Sequence, residues 1–190
     1  MRKLSKLQTA TFAAGCFWCL DAIMRMTKGV VNVESGYSGG QTNHPTYDSV
    51  HAKETGHAES VQVTYHPDVI GYSTLLDIFW TSHNPTTLNQ DGANVGTEYR
   101  SIIFYHDEEQ KRAAEKSKRE VATQLWEDPI VAEIVHFEKF WSAEDYHQNF
   151  FFQKPTHPYC LVVINPKLDK FKQRFGEYLR PEPLDTGETI

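Results

Sequence analysis

Three cysteines are all that this 190-residue chain holds, and they do not make a structural disulfide framework. No run approaches the ~20 apolar residues that span a bilayer. The polar start, Met1 to Gln8, lacks the apolar core of a signal peptide. A cytoplasmic location is therefore expected, where thiols stay reduced. Basic clusters are missing too: 19 Lys and Arg against 25 Asp and Glu leave a formal charge of −6, which argues against nucleic acid or an acidic membrane as partner. The densest basic stretches, Lys111-Arg112 and Lys116 to Arg119, are interleaved with Glu109, Glu115 and Glu120 and read as a solvated helix face. There is no internal repeat and no linker that would split the chain. With 13% aromatic and 39% apolar residues, one domain with a sizeable core is expected over residues 1–180. A Pro/Asp/Gly/Glu-containing flexible tail should follow over 181–190.

Within those bounds the chain reads as alternating strands and helices. Thr9 to Gly15 is a short β-prone run, and Cys16 to Lys28 has helical spacing, with Gly29 as a stop. Val30 to Val33 is β-prone and closes in Gly36 to Gly40, a flexible turn. Gln41 to Gly56 is irregular and polar, with His44, Tyr47, His51 and His57 nearby, as functional loops often are. Ser60 to Tyr65 alternates with period two. Tyr72 to Trp80 suits an amphipathic helix, Ser101 to Tyr105 a buried strand, and Asp107 caps a helix running to about Gln124. Glu133 to Phe140 alternates as a fourth strand. Tyr146 to Tyr159 has no clear period, and a last helix covers Lys167 to Leu179. This order points to a compact α/β or α+β sandwich. Strands 60–65, 101–105 and 133–140 should form its central sheet, with helices over one face.

The chemistry concentrates at Gly15-Cys16-Phe17-Trp18-Cys19. A thiol is nucleophilic only as its thiolate, and a helix N-terminus favours that charge. Cys16 sits where strand passes to helix, after a glycine that permits a sharp corner, and Cys19 projects from the same face one turn on. On spacing alone this pair could be redox-active, two small buried hydrophobes, or half of a zinc site. The second CxxC or HxxxH that a structural zinc site would want is absent. Phe17 and Trp18 beside a reactive sulfur could cradle a small apolar group such as a methyl on sulfur, or simply pack on the sheet.

The sequence resembles the A-type peptide methionine sulfoxide reductases. The match runs from Gly15-Cys16-Phe17-Trp18 through Gly36-Tyr37-Ser38-Gly39-Gly40, Pro45-Thr46-Tyr47 and Thr55-Gly56-His57-Ala58-Glu59. It continues through Gly96-Thr97-Glu98-Tyr99-Arg100-Ser101 and Tyr146-His147-Gln148 to His157-Pro158-Tyr159-Cys160. The resemblance implies an α+β fold, a two-layer sandwich with a ferredoxin-like plait, a mixed sheet and a long irregular C-terminal segment. It implies an oxidoreductase that reduces methionine S-sulfoxide, free or in proteins, without a bound cofactor or metal. A thioredoxin or similar dithiol would recycle it.

By the same resemblance Cys16 attacks the sulfoxide sulfur, Glu59 supplies a proton, and Tyr47 and Tyr99 hydrogen-bond the sulfoxide oxygen. Phe17 and Trp18 hold the methyl group. Cys16 is left as a sulfenic acid, which a second thiol resolves. Cys160 matches the usual resolving cysteine on a flexible C-terminal segment. Cys19 departs from the family, where glycine is usual. It could condense directly with Cys16, pass the disulfide on to Cys160, or only pack. Asp21 stands where glutamate is usual, with aid to the helix dipole as one reading, and Asn94 stands where aspartate is expected. The competing classes are a thioredoxin-like dithiol carrier using Cys16 and Cys19, and a zinc module using those cysteines with histidines between His44 and His57.

Overall fold

Strand β1 (Gln8–Ala14) has small residues and Phe12 at its centre, so neighbours approach it closely on both edges. The structure, a computed structural model, describes residues 5–184. After β1 come α1 (Phe17–Arg25), β2 (Val30–Ser38), α2 (Tyr47–His51), β3 (Ala58–Tyr65) and α3 (Tyr72–Ser82). Then follow the two-residue strands β4 (Gln90–Asp91) and β5 (Asn94–Val95), β6 (Ser101–Tyr105) and α4 (Glu108–Ser117). A π-helical turn, Lys118–Ala122, carries α4 into the short α5 (Thr123–Leu125). The chain closes with β7 (Glu133–His136), β8 (Phe140–Ser142), α6 (Phe150–Gln153), a second π-helical turn Cys160–Ile164, and α7 (Asn165–Arg174).

The main sheet has the order β7-β6-β1-β3-β2-β8. Its inner four strands, β6-β1-β3-β2, are antiparallel to one another. They are threaded by α1 and α3 as a βαββαβ unit, the ferredoxin-like plait. The β6–β7 pair is parallel, so the sheet is mixed. The fold is the α+β sandwich expected from the sequence.

Period-two alternation divides the core. Ala10, Phe12 and Ala14 of β1 join Val61, Val63 and Ile103 against the helices. Ala13, Ala58, Ile102 and Phe104 face the other way into a small second cluster with Val135 and Phe137. Helix α1 is sandwiched between the sheet and the C-terminal helices, so all of its residues but Trp18 are buried.

Three readings of the sequence need correction. Glu133 to Phe140 is not one strand of the central sheet. It breaks into β7 and β8, which lie on opposite edges, with Phe137 stacking on His106 between them. The four Cα steps from His136 to Phe140 reach at most ~14 Å, whereas five flat interstrand spacings would need ~24 Å, so the sheet must curl to bring its edges together. Gly36 to Ser38 is not a turn but the end of β2, in register with Ser60, Glu59 and Ala58. A Cβ at Gly36 would strike the Trp141 carbonyl and the Phe140 ring, so glycine here allows β8 to approach. The last helix spans Asn165–Arg174 and follows a π-helical turn.

Among the described residues no helix is long and apolar enough to cross a membrane. The 181–190 stretch begins with a tie to the body, where the Leu184 N–H donates to the Arg25 carbonyl at 2.9 Å. Residues 185–190 of the expected tail, like residues 1–4, lie outside the described residues.

Candidate active site

Cys16 is the N-cap of α1, reached through Gly15 at φ +73°. It floors a recess of about 170 Å³ whose walls are Phe17, Trp18, Tyr47, Glu59, Asn94, Tyr99 and Tyr159. At ~30 Å³ per water, that volume holds a few waters or one small organic group. Larger clefts, of 410 and 580 Å³, lie elsewhere and contain no cysteine.

The walls come from several elements, with Phe17 and Trp18 both on α1. Tyr47 opens α2 behind a Thr46–Ser49 capping box, and its N–H donates to Glu144 Oε1 at 2.9 Å. Glu59 is the second residue of β3, opposite Tyr37. Tyr99 ends the 3₁₀ turn Thr97–Tyr99. Trp18 stacks on Phe150 with ring centroids 3.7 Å apart, and its Nε1–H donates to His147 Nδ1 at 3.1 Å. Burial drops His147 to about 4, which keeps its ring a neutral acceptor for that bond. Tyr159 comes from the segment before the second π-helical turn. Asn94 Nδ2–H donates to its hydroxyl at 2.9 Å.

Electrostatics distinguish Glu59. It is 2% exposed, and burial raises its carboxyl to about 8 although the Phe17 N–H pulls the other way. That N–H donates to Glu59 Oε2 at 2.9 Å. At neutral pH the carboxyl therefore carries a proton inside the recess. Tyr47 is raised to about 12 and Tyr99 further, both chiefly by burial, so both remain hydroxyl donors.

The thiols depart from expectation. The free N–H at the start of α1 serves Glu59 instead of stabilising a Cys16 thiolate. Burial, the Cys19 hydrogen bond and the nearby Glu59 push the Cys16 thiol well up. Cys19 is pulled down, first by its hydrogen bond with Cys16 and also by the Lys167 charge. Of the two thiols Cys19 is thus the more acidic. Cys160 lies in regular structure. It opens a π-helical turn packed against α1 and is fully buried, and burial with the Cys19 charge pushes its thiol up. All three cysteines are free. Among the described residues no group of three or more His, Cys, Asp or Glu has metal-binding geometry.

The chain as a whole has relatives among known proteins. A family model described as peptide methionine sulfoxide reductase matches residues 8–179. The chain is 49% identical over 171 residues to the peptide methionine sulfoxide reductase MsrA of Sulfolobus acidocaldarius, covering 90% of this chain and 97% of that one. It is 50% identical over 165 residues to the MsrA of Leptospira borgpetersenii, covering 87% and 93%. The chain belongs to the peptide methionine sulfoxide reductase family.

Solved structures agree. Reduced Mxr1 from Saccharomyces cerevisiae matches with TM-score 0.77 and 32% identity over 83% of this chain and 92% of that one. Mxr1 in complex with Trx2 matches with TM-score 0.56 and 27% identity over 78% and 88%.

Against the family pattern, Asp21 lies beyond the first turn of α1, where it gives the helix dipole no acid. Its Oδ1 instead accepts from Arg25 Nε at 2.8 Å and its Oδ2 from the Ser35 hydroxyl at 3.3 Å. Two residues at the recess had no role assigned from sequence. Tyr159 belongs to a quoted motif but was passed over for Cys160. His51 lies 3.4 Å from Glu59 Oε1 and 2.9 Å from the Tyr99 hydroxyl, and only its place among other loop histidines singled it out.

Proposed function

We propose that this chain is a thiol-dependent reductase of methionine S-sulfoxide, free or in proteins, and that residues 8–179 act as one catalytic domain. The observation that carries the reading is the protonated Glu59 carboxyl beside Cys16 in a recess sized for a methylsulfinyl group. Phe17 and Trp18 receive the methyl, and Tyr47 and Tyr99 face the oxygen.

As Cys16 attacks the sulfoxide sulfur, its proton passes to the Cys19 thiolate. Glu59 protonates the oxygen as the S–O bond breaks, which is general-acid catalysis of a leaving group. The hydroxyl so released is taken up by the Cys16 sulfur as the S–S bond made in the attack breaks, so the cysteine sulfur loses the two electrons that the sulfoxide sulfur gains, giving methionine and a Cys16 sulfenic acid. Cys19, hydrogen-bonded to Cys16, condenses with it and releases water. Cys160 then attacks Cys19, restores the Cys16 thiol and leaves a Cys19–Cys160 disulfide for an external dithiol to reduce. The yeast Mxr1–Trx2 complex supports a thioredoxin-type protein in that last role. A cytoplasmic setting, which supplies such dithiols, completes the reading.

Mixing the reduced protein with one equivalent of methionine sulfoxide tests it. Wild type should yield one methionine and lose two thiols per turnover, with Cys16–Cys19 the first disulfide seen by mass spectrometry. Cys16→Ser should yield none. Undiminished methionine production by that folded variant would overturn the assignment.

A further inference from the structure

His51 closes α2 with its ring half-buried and both nitrogens engaged. Nδ1 lies 3.0 Å from the Tyr47 carbonyl oxygen, which can only accept. The proton of the neutral ring is therefore on Nδ1, and Nε2 is a bare acceptor. Nε2 lies 2.9 Å from the Tyr99 hydroxyl and 3.4 Å from Glu59 Oε1, so with neutral His51 the Tyr99 O–H is the nearer donor and points at the imidazole. A hydroxyl has one proton. In that state Tyr99 cannot donate to an oxygen in the recess.

Protonation of His51 reverses the polarity. Nε2–H then donates to the Tyr99 oxygen, and the hydroxyl proton is free to turn toward the recess. We propose that His51 is a positioning residue whose imidazolium form aims the Tyr99 hydroxyl at the sulfoxide oxygen. The inference rests on the sulfoxide-reductase reading above and adds a titrating switch to it. No proton needs to leave Tyr99; only the direction of one hydrogen bond changes.

Several titratable groups face His51. Glu59 of β3 faces it from one side and Tyr99 from another. His147, close to Tyr47 with ring centroids 4.6 Å apart, stands beyond Tyr47 in the turn before α6 and stays neutral above about pH 4. On its own helix, Tyr47 stacks on it with centroids 3.9 Å apart, and Asp48 adds an acid near the helix start. Glu59 must also be protonated, so both groups make the first half-reaction faster at low pH. Their roles separate by substitution, because a glutamine at either place does not titrate.

The test is the single-turnover rate of methionine formation across pH 5 to 9. In wild type two falling limbs are expected, and the one belonging to His51 should lower the rate by about a hundredfold, the loss of one aligned donor. His51→Gln should remove that limb and keep the Glu59 limb. In a Tyr99→Phe background, His51→Gln should change the rate less than about twofold, since the partner it acts through is gone. Nitrogen-15 spectra of the wild-type imidazole, which need no variant, should place the neutral proton on Nδ1. A superimposable pH profile for His51→Gln, fully additive effects in the double variant, or a neutral ring protonated on Nε2 would each overturn the proposal. Absence of Cys16-dependent methionine formation would instead overturn the reading beneath it, while the spectra would still report the His51–Tyr99 bond.

Discussion

At the scale of single residues, the recess is governed by which atom of each pair carries the proton. Asn94 is a second instance. Its amide donates to the Tyr159 oxygen, which leaves the Tyr159 proton free to point at the sulfurs, with Cys19 Sγ at 4.0 Å. An aspartate would accept that proton and add a negative charge beside a pair that must hold a thiolate. Asn94→Asp should therefore raise the thiols, and a rise of one unit, about 1.4 kcal/mol, slows alkylation at pH 7 by about tenfold. Timed labelling with iodoacetamide checks this, and an unchanged rate would show that Tyr159 does not donate to the thiolate. The same logic explains what was legible in the sequence. Cys16 stands where a strand passes to a helix, Glu59, Tyr47 and Tyr99 stand inside motifs that resemble a family's, and the fold brings all four to one recess. His51 and Tyr159 act through partners 48 and 65 positions away. No local pattern carries the direction of a through-space hydrogen bond.

At the scale of elements, the corner from β1 into α1 sets where Cys16 lies. Gly15 turns at φ +73°, and a Cβ there would meet Asp91 Cβ and Oδ2 at 2.5 Å. Asp91 Oδ2 accepts from Lys167 Nζ at 2.6 Å, and Lys167 lowers the Cys19 thiol. Gly15→Ala should thus cost about 2 kcal/mol or more from backbone strain and crowding. It should also slow disulfide formation by displacing the Asp91–Lys167 pair. Urea unfolding read with single-turnover thiol loss checks both effects, and a variant of unchanged stability would show that the corner relaxes freely. This glycine was legible because a β-prone run ends on it just before a helical period. The break between β7 and β8 was not, because the alternation of Val135 and Phe137 with His136 and Glu138 runs past the end of β7 although the chain leaves one sheet edge for the other. Period two reports that side chains take turns on two sides, and a segment crossing the sheet does so as well as a paired strand. The glycines of β2 misled for a related reason. Glycine marks both flexible turns and close approach, and only the position of β8 decides between them.

At the scale of the whole molecule, the recess places an ionisable carboxyl in the core and the fold carries the cost. The unfolded chain ionises Glu59 near 4.5, the ordinary glutamate value, whereas the folded protein holds it protonated to about 8. Between those values the folded state binds more protons than the unfolded one. Stability from this group is therefore complete below about pH 4.5 and declines as pH rises toward 8. At 1.36 kcal/mol per unit the loss is on the order of 3 kcal/mol at pH 7, a large share of a typical folding free energy. Glutamine keeps an oxygen to accept from Phe17 N–H but has nothing to ionise. Glu59→Gln should consequently be more stable than wild type, by a margin that widens by about 2–3 kcal/mol from pH 5 to pH 8, while losing the first half-reaction. Denaturant midpoints of both proteins at the two pH values measure the margin. A constant margin would mean that Glu59 is ionised in the fold. That would remove the proton donor from the reaction and leave the recess as a mere pocket around a cysteine.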